Sequence, residues 1–137
     1  MNSSSLIRRR ESGRHLVITL DDAPRRNAIS AEMVVEFERA LDETRDRGLA
    51  ALVIEGANGV FSAGADLKAL FDAVAALPAK GETDPLEELS VAAGRFFARL
   101  AALPALVIAV VDGPAVGGGM GLACVADIVI TTARVSP

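Results

Sequence analysis

Tryptophan and tyrosine are missing from this 137-residue sequence, and aromatic residues make up only 4% of it. A surface that stacks nucleic-acid bases needs such rings, so base-stacking recognition is disfavoured. An excess of basic residues is missing too. Lys and Arg number 14 against 18 Asp and Glu, for a formal net charge of −4. That balance repels phosphate backbones and anionic lipid headgroups, and argues against nucleic-acid and membrane partners. The one basic cluster, Arg8-Arg9-Arg10, is followed at once by Glu11 and reads as a solvated lead-in to a strand. No apolar run has the length of a membrane span, and "MNSSSLIRRRESG" lacks a signal-peptide core, so a cytoplasmic protein is expected. The single cysteine, Cys124, excludes an intrachain disulfide framework and a cysteine-rich zinc site, and no metal centre is expected. Its apolar setting suggests a small buried hydrophobe. The single histidine, His15, opens the strand-like run "HLVITL" far from any nucleophile-elbow pattern, which leaves no support for a Ser-His-Asp triad.

What is present is apolar material for one core: hydrophobic residues reach 51% and charged residues 23%. Leu16 to Leu20 predicts a strand ending in the turn-rich "DDAPRRN". Ser30 is placed to cap a helix with Val34, Phe37, Leu41 and Thr44 on one face and Gly48 as its stop. "LAALVIEG" predicts a buried strand, and a helix is expected from near Asp66 with Leu67, Leu70, Phe71 and Val74 as its apolar positions. Pro78 to Pro85 reads as a surface loop, and Leu86 to Leu103 as a long helix with Leu89, Phe96, Phe97 and Leu100 as core candidates. Pro104 ends it before the buried strand "ALVIAVVDG", and "VADIVI" is a further strand after a glycine run. The order predicts an α/β domain with mostly buried strands and right-handed crossovers. Asp127 interrupts the last apolar run, so a structural, hydrogen-bonded carboxylate is expected there.

Two turns share one plan. "VFSAGAD" and "DGPAVGGGMG" each lead from a buried strand through small residues into a helix. The first N–H groups of a helix have no intrahelical acceptor, and the helix dipole adds partial positive charge there. Small residues let a ligand oxygen come close. Side by side, two such turns can aim two N–H groups at one oxygen, the geometry of an oxyanion hole. No Gly-Lys-Ser/Thr follows the glycines and no G-x-G-x-x-G stands at the first βα turn, so neither a phosphate P-loop nor a dinucleotide site is indicated.

"FSAGADLK" together with "GPAVGGGMGLACVADIVI" resembles the two signature segments of the crotonase, or enoyl-CoA hydratase/isomerase, superfamily, and "RRNAIS" resembles its earlier segment. The resemblance implies an α/β spiral of ββα units, here without the C-terminal helical region. Residues 1–15 would be a lead-in, and 16–137 the N-terminal portion of the domain. By the same resemblance Ala65 and Gly118 donate their backbone N–H groups to an acyl-CoA thioester oxygen. Asp66, Leu67 and Lys68, with Ala63, lie beside bound CoA, and Arg26 and Ala28 line the CoA side. Coenzyme A is part of the substrate and no separate cofactor is implied. The implied partners are an acyl-CoA thioester and further copies of the chain, as a trimer or hexamer.

Hydration of a 2-enoyl-CoA is the reaction expected of such a site, with double-bond isomerisation as an alternative. Many hydratases of this family place a catalytic glutamate where this sequence has Gly121, and the motif spacing puts the second glutamate beyond Pro137. Glu55, Glu87 and Glu88 occupy no motif position. Two readings therefore stand together: a shortened portion of an acyl-CoA enzyme, weak or inactive by itself, and a short acyl-CoA-binding or interaction module without turnover. A further expectation is that the stretch from Ala73 to Leu89 frames an acyl pocket, with Phe71 or Phe96 as a wall.

Overall fold

The computed structural model describes residues 5–76 and 85–132. Five strands form one sheet in chain order: β1 (Ile7–Ser12), β2 (His15–Leu20), β3 (Ala51–Gly56), β4 (Leu106–Val111) and β5 (Ile128–Thr131). β1 runs antiparallel to β2, and every later pair is parallel. The helices are α1 (Ala31–Thr44), α2 (Leu67–Ala75), α3 (Pro85–Ala101) and the short α4 (Gly118–Cys124).

The core follows from register. Leu16 pairs with Leu52 and Leu52 with Val107, and Ile18, Ile54 and Ala109 form the next row. All six are buried on one face of the sheet. α1 joins them through Met33, Phe37, Ala40 and Leu41, spaced to share one helical stripe. The Ser30 hydroxyl accepts from Met33 N at 3.1 Å, as the capping pattern predicts. Gly48 closes the 3-10 turn after α1 in the left-handed region. Phe96 of α3 meets Phe37 edge to face, with ring centroids 5.2 Å apart at 80°. Such a pair adds about 0.5–1.5 kcal/mol to the burial of the two rings.

Several expectations need correction. The arginine run is solvated, but it is itself an edge strand rather than a lead-in. Arg8 pairs with Asp21, and Arg9 with Glu43. An edge dressed in charge resists strand addition, which gives this composition a structural purpose. Phe96 belongs to the core and not to a pocket wall, since it is 2% exposed and packed on Phe37. Leu67, Phe71 and Val74 are exposed, so α2 lies on the surface with none of its residues buried. Leu89 and Cys124 are exposed as well. The parallel strands are buried on one face and only half-buried on the other, and β5 is exposed throughout. Positions 78–84 of the segment read as a surface loop lie outside the described residues, and Pro85, its last residue, opens α3 instead.

Asp127 is structural, as expected, although it is exposed rather than buried. Its N–H donates to Val107 O at 2.8 Å, and its Oδ2 accepts from Val107 N at 2.8 Å. The side chain thus supplies an acceptor to a buried strand residue where β5 begins. Asp127→Ala is expected to cost about 1–2 kcal/mol in urea unfolding, and Asp127→Asn, which keeps a carbonyl acceptor, clearly less.

Candidate functional site

Three turns stack at one end of the sheet, each leaving a parallel strand. The first spans residues 22–29 after β2, the second 57–66 after β3, and the third 112–117 after β4. Backbone bonds join them in order. Ile29 N donates to Gly64 O at 2.7 Å and Ala63 N to Arg26 O at 3.0 Å. Phe61 N donates to Pro114 O at 3.0 Å and Val116 N to Ser62 O at 3.0 Å. Short parallel bridges at Ile29–Ala65 and Ser62–Ala115 extend the layer. Strand, bridging turn and helix therefore recur three times, although no repeat is visible by residue identity.

Asn27 holds the first two turns together. It is fully buried at φ 56°. Its Nδ2 donates to Ala57 O at 3.0 Å and Val60 O at 2.8 Å, and its Oδ1 accepts from Asp22 N at 2.9 Å. Asp22 receives Arg25 Nε at 2.6 Å, and Arg25 also reaches Asp66 at 3.4 Å. Burial alone would lower the Arg25 guanidinium pKa, but the two carboxylates outweigh it and hold it above the usual value. Asp66 in turn caps α2, accepting from Ala69 N at 3.0 Å.

Close approach of the second and third turns depends on glycine. At Gly64, φ is 87° and a Cβ would stand 2.5 Å from Val116 O. At Gly119 a Cβ would stand 2.4 Å from Ser62 O. Both contacts are with backbone, which no side-chain rotation can relieve. The result brings Ala65 and Gly118 together. A Cβ built on Gly118 would lie 3.7 Å from Ala65 N, and one on Gly64 would lie 3.1 Å from Gly118 N. Neither the Ala65 nor the Gly118 amide has an acceptor among the described residues. Ala65 N–H belongs to the same planar trans peptide as Gly64 O, so the Ile29 bond to that oxygen also sets where the Ala65 proton points.

This backbone arrangement has close counterparts. The family model for enoyl-CoA hydratase/isomerase matches residues 11–136. The chain belongs to the enoyl-CoA hydratase/isomerase family. A Thermus thermophilus relative that carries an enoyl-CoA hydratase name is 41% identical over 121 residues, covering 88% of this chain and 46% of the relative. Among solved structures, an enoyl-CoA hydratase/isomerase from Marinobacter aquaeolei superposes with a TM-score of 0.83 at 34% identity, over 93% of this chain and 49% of that one. AtuE from Pseudomonas aeruginosa gives 0.83 at 38% identity, over 93% and 48%. The chain spans about half the length of the relatives it matches. Its α/β layers are thus the first part of a crotonase fold.

Within that family fold, the residues expected at the site fall into distinct settings. Ala63 and Ala65 are exposed on the second turn, and Gly118 is half-buried at the start of α4. Asp66 and Leu67 begin α2, with Lys68 one residue on, 85% exposed at its side chain and paired with Asp72. Arg26 is exposed at φ 52°, whereas Ala28 is 4% exposed with its methyl in the interior. The Ala28 N–H donates to Arg25 O at 3.1 Å and its carbonyl accepts from Ser30 N at 3.0 Å, so Ala28 presents little to a ligand directly. Gly121 lies against Phe97, whose ring atom would stand 3.6 Å from a Cβ there. Two residues the motifs contain were not singled out from sequence: Asn27 and Ser62. Both are polar, fully buried and flanked by turn residues, a combination whose meaning depends on partners far away in the chain. No helix among the described residues is long and apolar enough to cross a membrane, and no group of His, Cys, Asp and Glu among them could hold a metal ion.

Proposed function

We propose that this chain binds an acyl-CoA thioester and polarises its carbonyl oxygen between the Ala65 and Gly118 amides. The observation that carries the reading is the approach of these two acceptor-free amides across the second and third turns. Adding water to a 2-enoyl thioester places charge on that oxygen as an enolate forms. Two fixed donors meet the charge with no reorganisation at the moment of reaction. CoA would lie along Arg26, Ala28, Ala63 and Asp66 to Lys68, and no cofactor beyond the CoA of the substrate is needed. The assembled cytoplasmic protein would be a homo-oligomer, a trimer or hexamer by resemblance.

For the whole protein the proposed reaction is hydration. Water adds its oxygen to C3 and a proton reaches C2, which requires a group to move that proton. Gly121 occupies the first family glutamate position and carries no acid. This 137-residue polypeptide is accordingly expected to bind without robust turnover. Isomerisation remains the second reading, because it needs the same enolate and a single proton-moving group.

Calorimetric titration with crotonyl-CoA tests the binding step. The matched thioether S-crotyl-CoA lacks the carbonyl oxygen and should bind about five- to a hundredfold more weakly, since two hydrogen bonds contribute about 0.5–1.5 kcal/mol each. Equal affinity for the two ligands would remove the oxyanion reading. Rapid hydration of crotonyl-CoA by the purified polypeptide would overturn the expectation of weak turnover.

A further inference from the structure

Ser62 stands where all three turns meet. Its N–H donates to Pro114 O at 3.2 Å and its carbonyl accepts from Val116 N, so its backbone binds the third turn. Its side chain addresses the first, with Oγ donating to Asn27 O at 2.8 Å. The same oxygen accepts from Gly64 N at 3.2 Å. Ser62 is 0% exposed, so water does not compete for these bonds. A hydroxyl has one proton. Committing it to Asn27 leaves a lone pair directed at the Gly64 amide, one peptide before the Ala65 amide.

We propose that Ser62 is a positioning residue: its hydroxyl links Asn27 to Gly64 and thereby holds the Ala65 amide in line to share an acceptor with the Gly118 amide. This rests on the thioester reading for its ligand, but the link itself is independent of any ligand. The planar peptide between Gly64 and Ala65 is gripped at its oxygen by Ile29. Ser62 grips the preceding peptide at its N–H. Gly64, at φ 87°, is the swivel between the two grips. Without the hydroxyl one grip is lost, and the swivel is free to turn the Ala65 proton away.

Two measurements on the full chain test this separately. Amide hydrogen exchange by NMR, without ligand, should show Gly64 protected. Ser62→Ala should raise its exchange by about tenfold or more, while Leu52, Ile54 and Val107 in the sheet change little. Infrared difference spectra of crotonyl-CoA carrying a 13C label at the thioester carbonyl read the aim of the amides. The band should fall on binding to the native chain, return towards the free position in Ser62→Ala, and lie between the two in Ser62→Cys, whose thiol is a weak donor. Unchanged Gly64 exchange in Ser62→Ala, or a native band in both variants, overturns the assignment. If neither variant folds, Ser62 is a folding residue and the positioning role falls. A normal exchange pattern with an unshifted carbonyl in the native chain defeats the thioester reading instead, and leaves the Ser62 link standing.

Discussion

Replacing Asn27 with alanine is expected to lower folding stability by about 3–5 kcal/mol, enough to leave a domain of this size near its unfolding point. The side chain serves three carbonyls, Ala57 O, Val60 O and, at 3.4 Å, Phe61 O, and the Asp22 amide, all within the turn layer. Truncation leaves these groups desolvated and unpaired, and each costs about 1–3 kcal/mol with partial relief from relaxation. Alanine must also adopt φ 56°, a conformation asparagine tolerates better. Asn58 provides the control. It too has positive φ, but it is exposed and donates only to Asp21. Asn58→Ala should stay within about 1 kcal/mol. Asn27→Asp should be at least as damaging as the alanine variant, because it turns a donor facing carbonyl oxygens into a charged oxygen. Urea unfolding with a constant m-value reads all three, and a loss below about 1 kcal/mol for Asn27→Ala would sink the role given to Asn27.

The same residue shows where sequence reading stops. Ser30, Phe37 and Leu41 were legible because a cap and a 3.6-residue stripe are written within one segment, and α1 starts where they place it; its end was not, since α1 stops at Thr44 and Gly48 closes the 3-10 turn that follows. The strands β2, β3 and β4 were legible for the same reason. β1 was not: Arg8, Arg9 and Arg10 carry no alternation, and their strand exists because β2 offers a partner edge. Phe71 and Leu67 have the spacing of a buried stripe, yet nothing among the described residues covers them. Their periodicity records a face without naming what lies against it. Asn27 and Ser62 stand inside motifs quoted from the sequence, but their bonds reach residues 30 to 35 positions away. Those contacts come from the stacking of turns, a property of the fold.

The stacking also explains why the site is made of backbone. Each parallel strand ends in a turn that must pair with the turn before it, so amides at equivalent places are carried side by side. The sheet register does this work, because Leu52 sits level with both Leu16 and Val107. A side chain could be replaced without moving the strands. The Ala65 and Gly118 amides are instead placed by the turns that carry them, with Ile29 and Ser62 fixing how the peptides on either side of Gly64 are oriented.

The neighbouring glycines of α4 should separate binding from folding. Gly118→Ala is expected to fold as well as the native chain, or slightly better, and to bind crotonyl-CoA roughly ten- to a hundredfold more weakly. Gly118 lies outside the left-handed region, and the nearest atoms to an added methyl are ordinary contacts: Ile29 Cδ1 at 3.6 Å and Ala65 N at 3.7 Å. The methyl therefore fits the protein but stands beside the Ala65 amide, in the space a thioester oxygen needs. Gly119→Ala should do the opposite. Its methyl would lie 2.4 Å from Ser62 O and 2.8 Å from Ser62 Cβ, so α4 must withdraw from the second turn. A cost of about 2–4 kcal/mol is expected, within the range of overpacked cores. Thermal unfolding and titration of both variants decide the matter. Native affinity in Gly118→Ala would place the thioester oxygen somewhere other than between these amides. Equal loss of stability in the two variants would mean that both glycines serve packing alone.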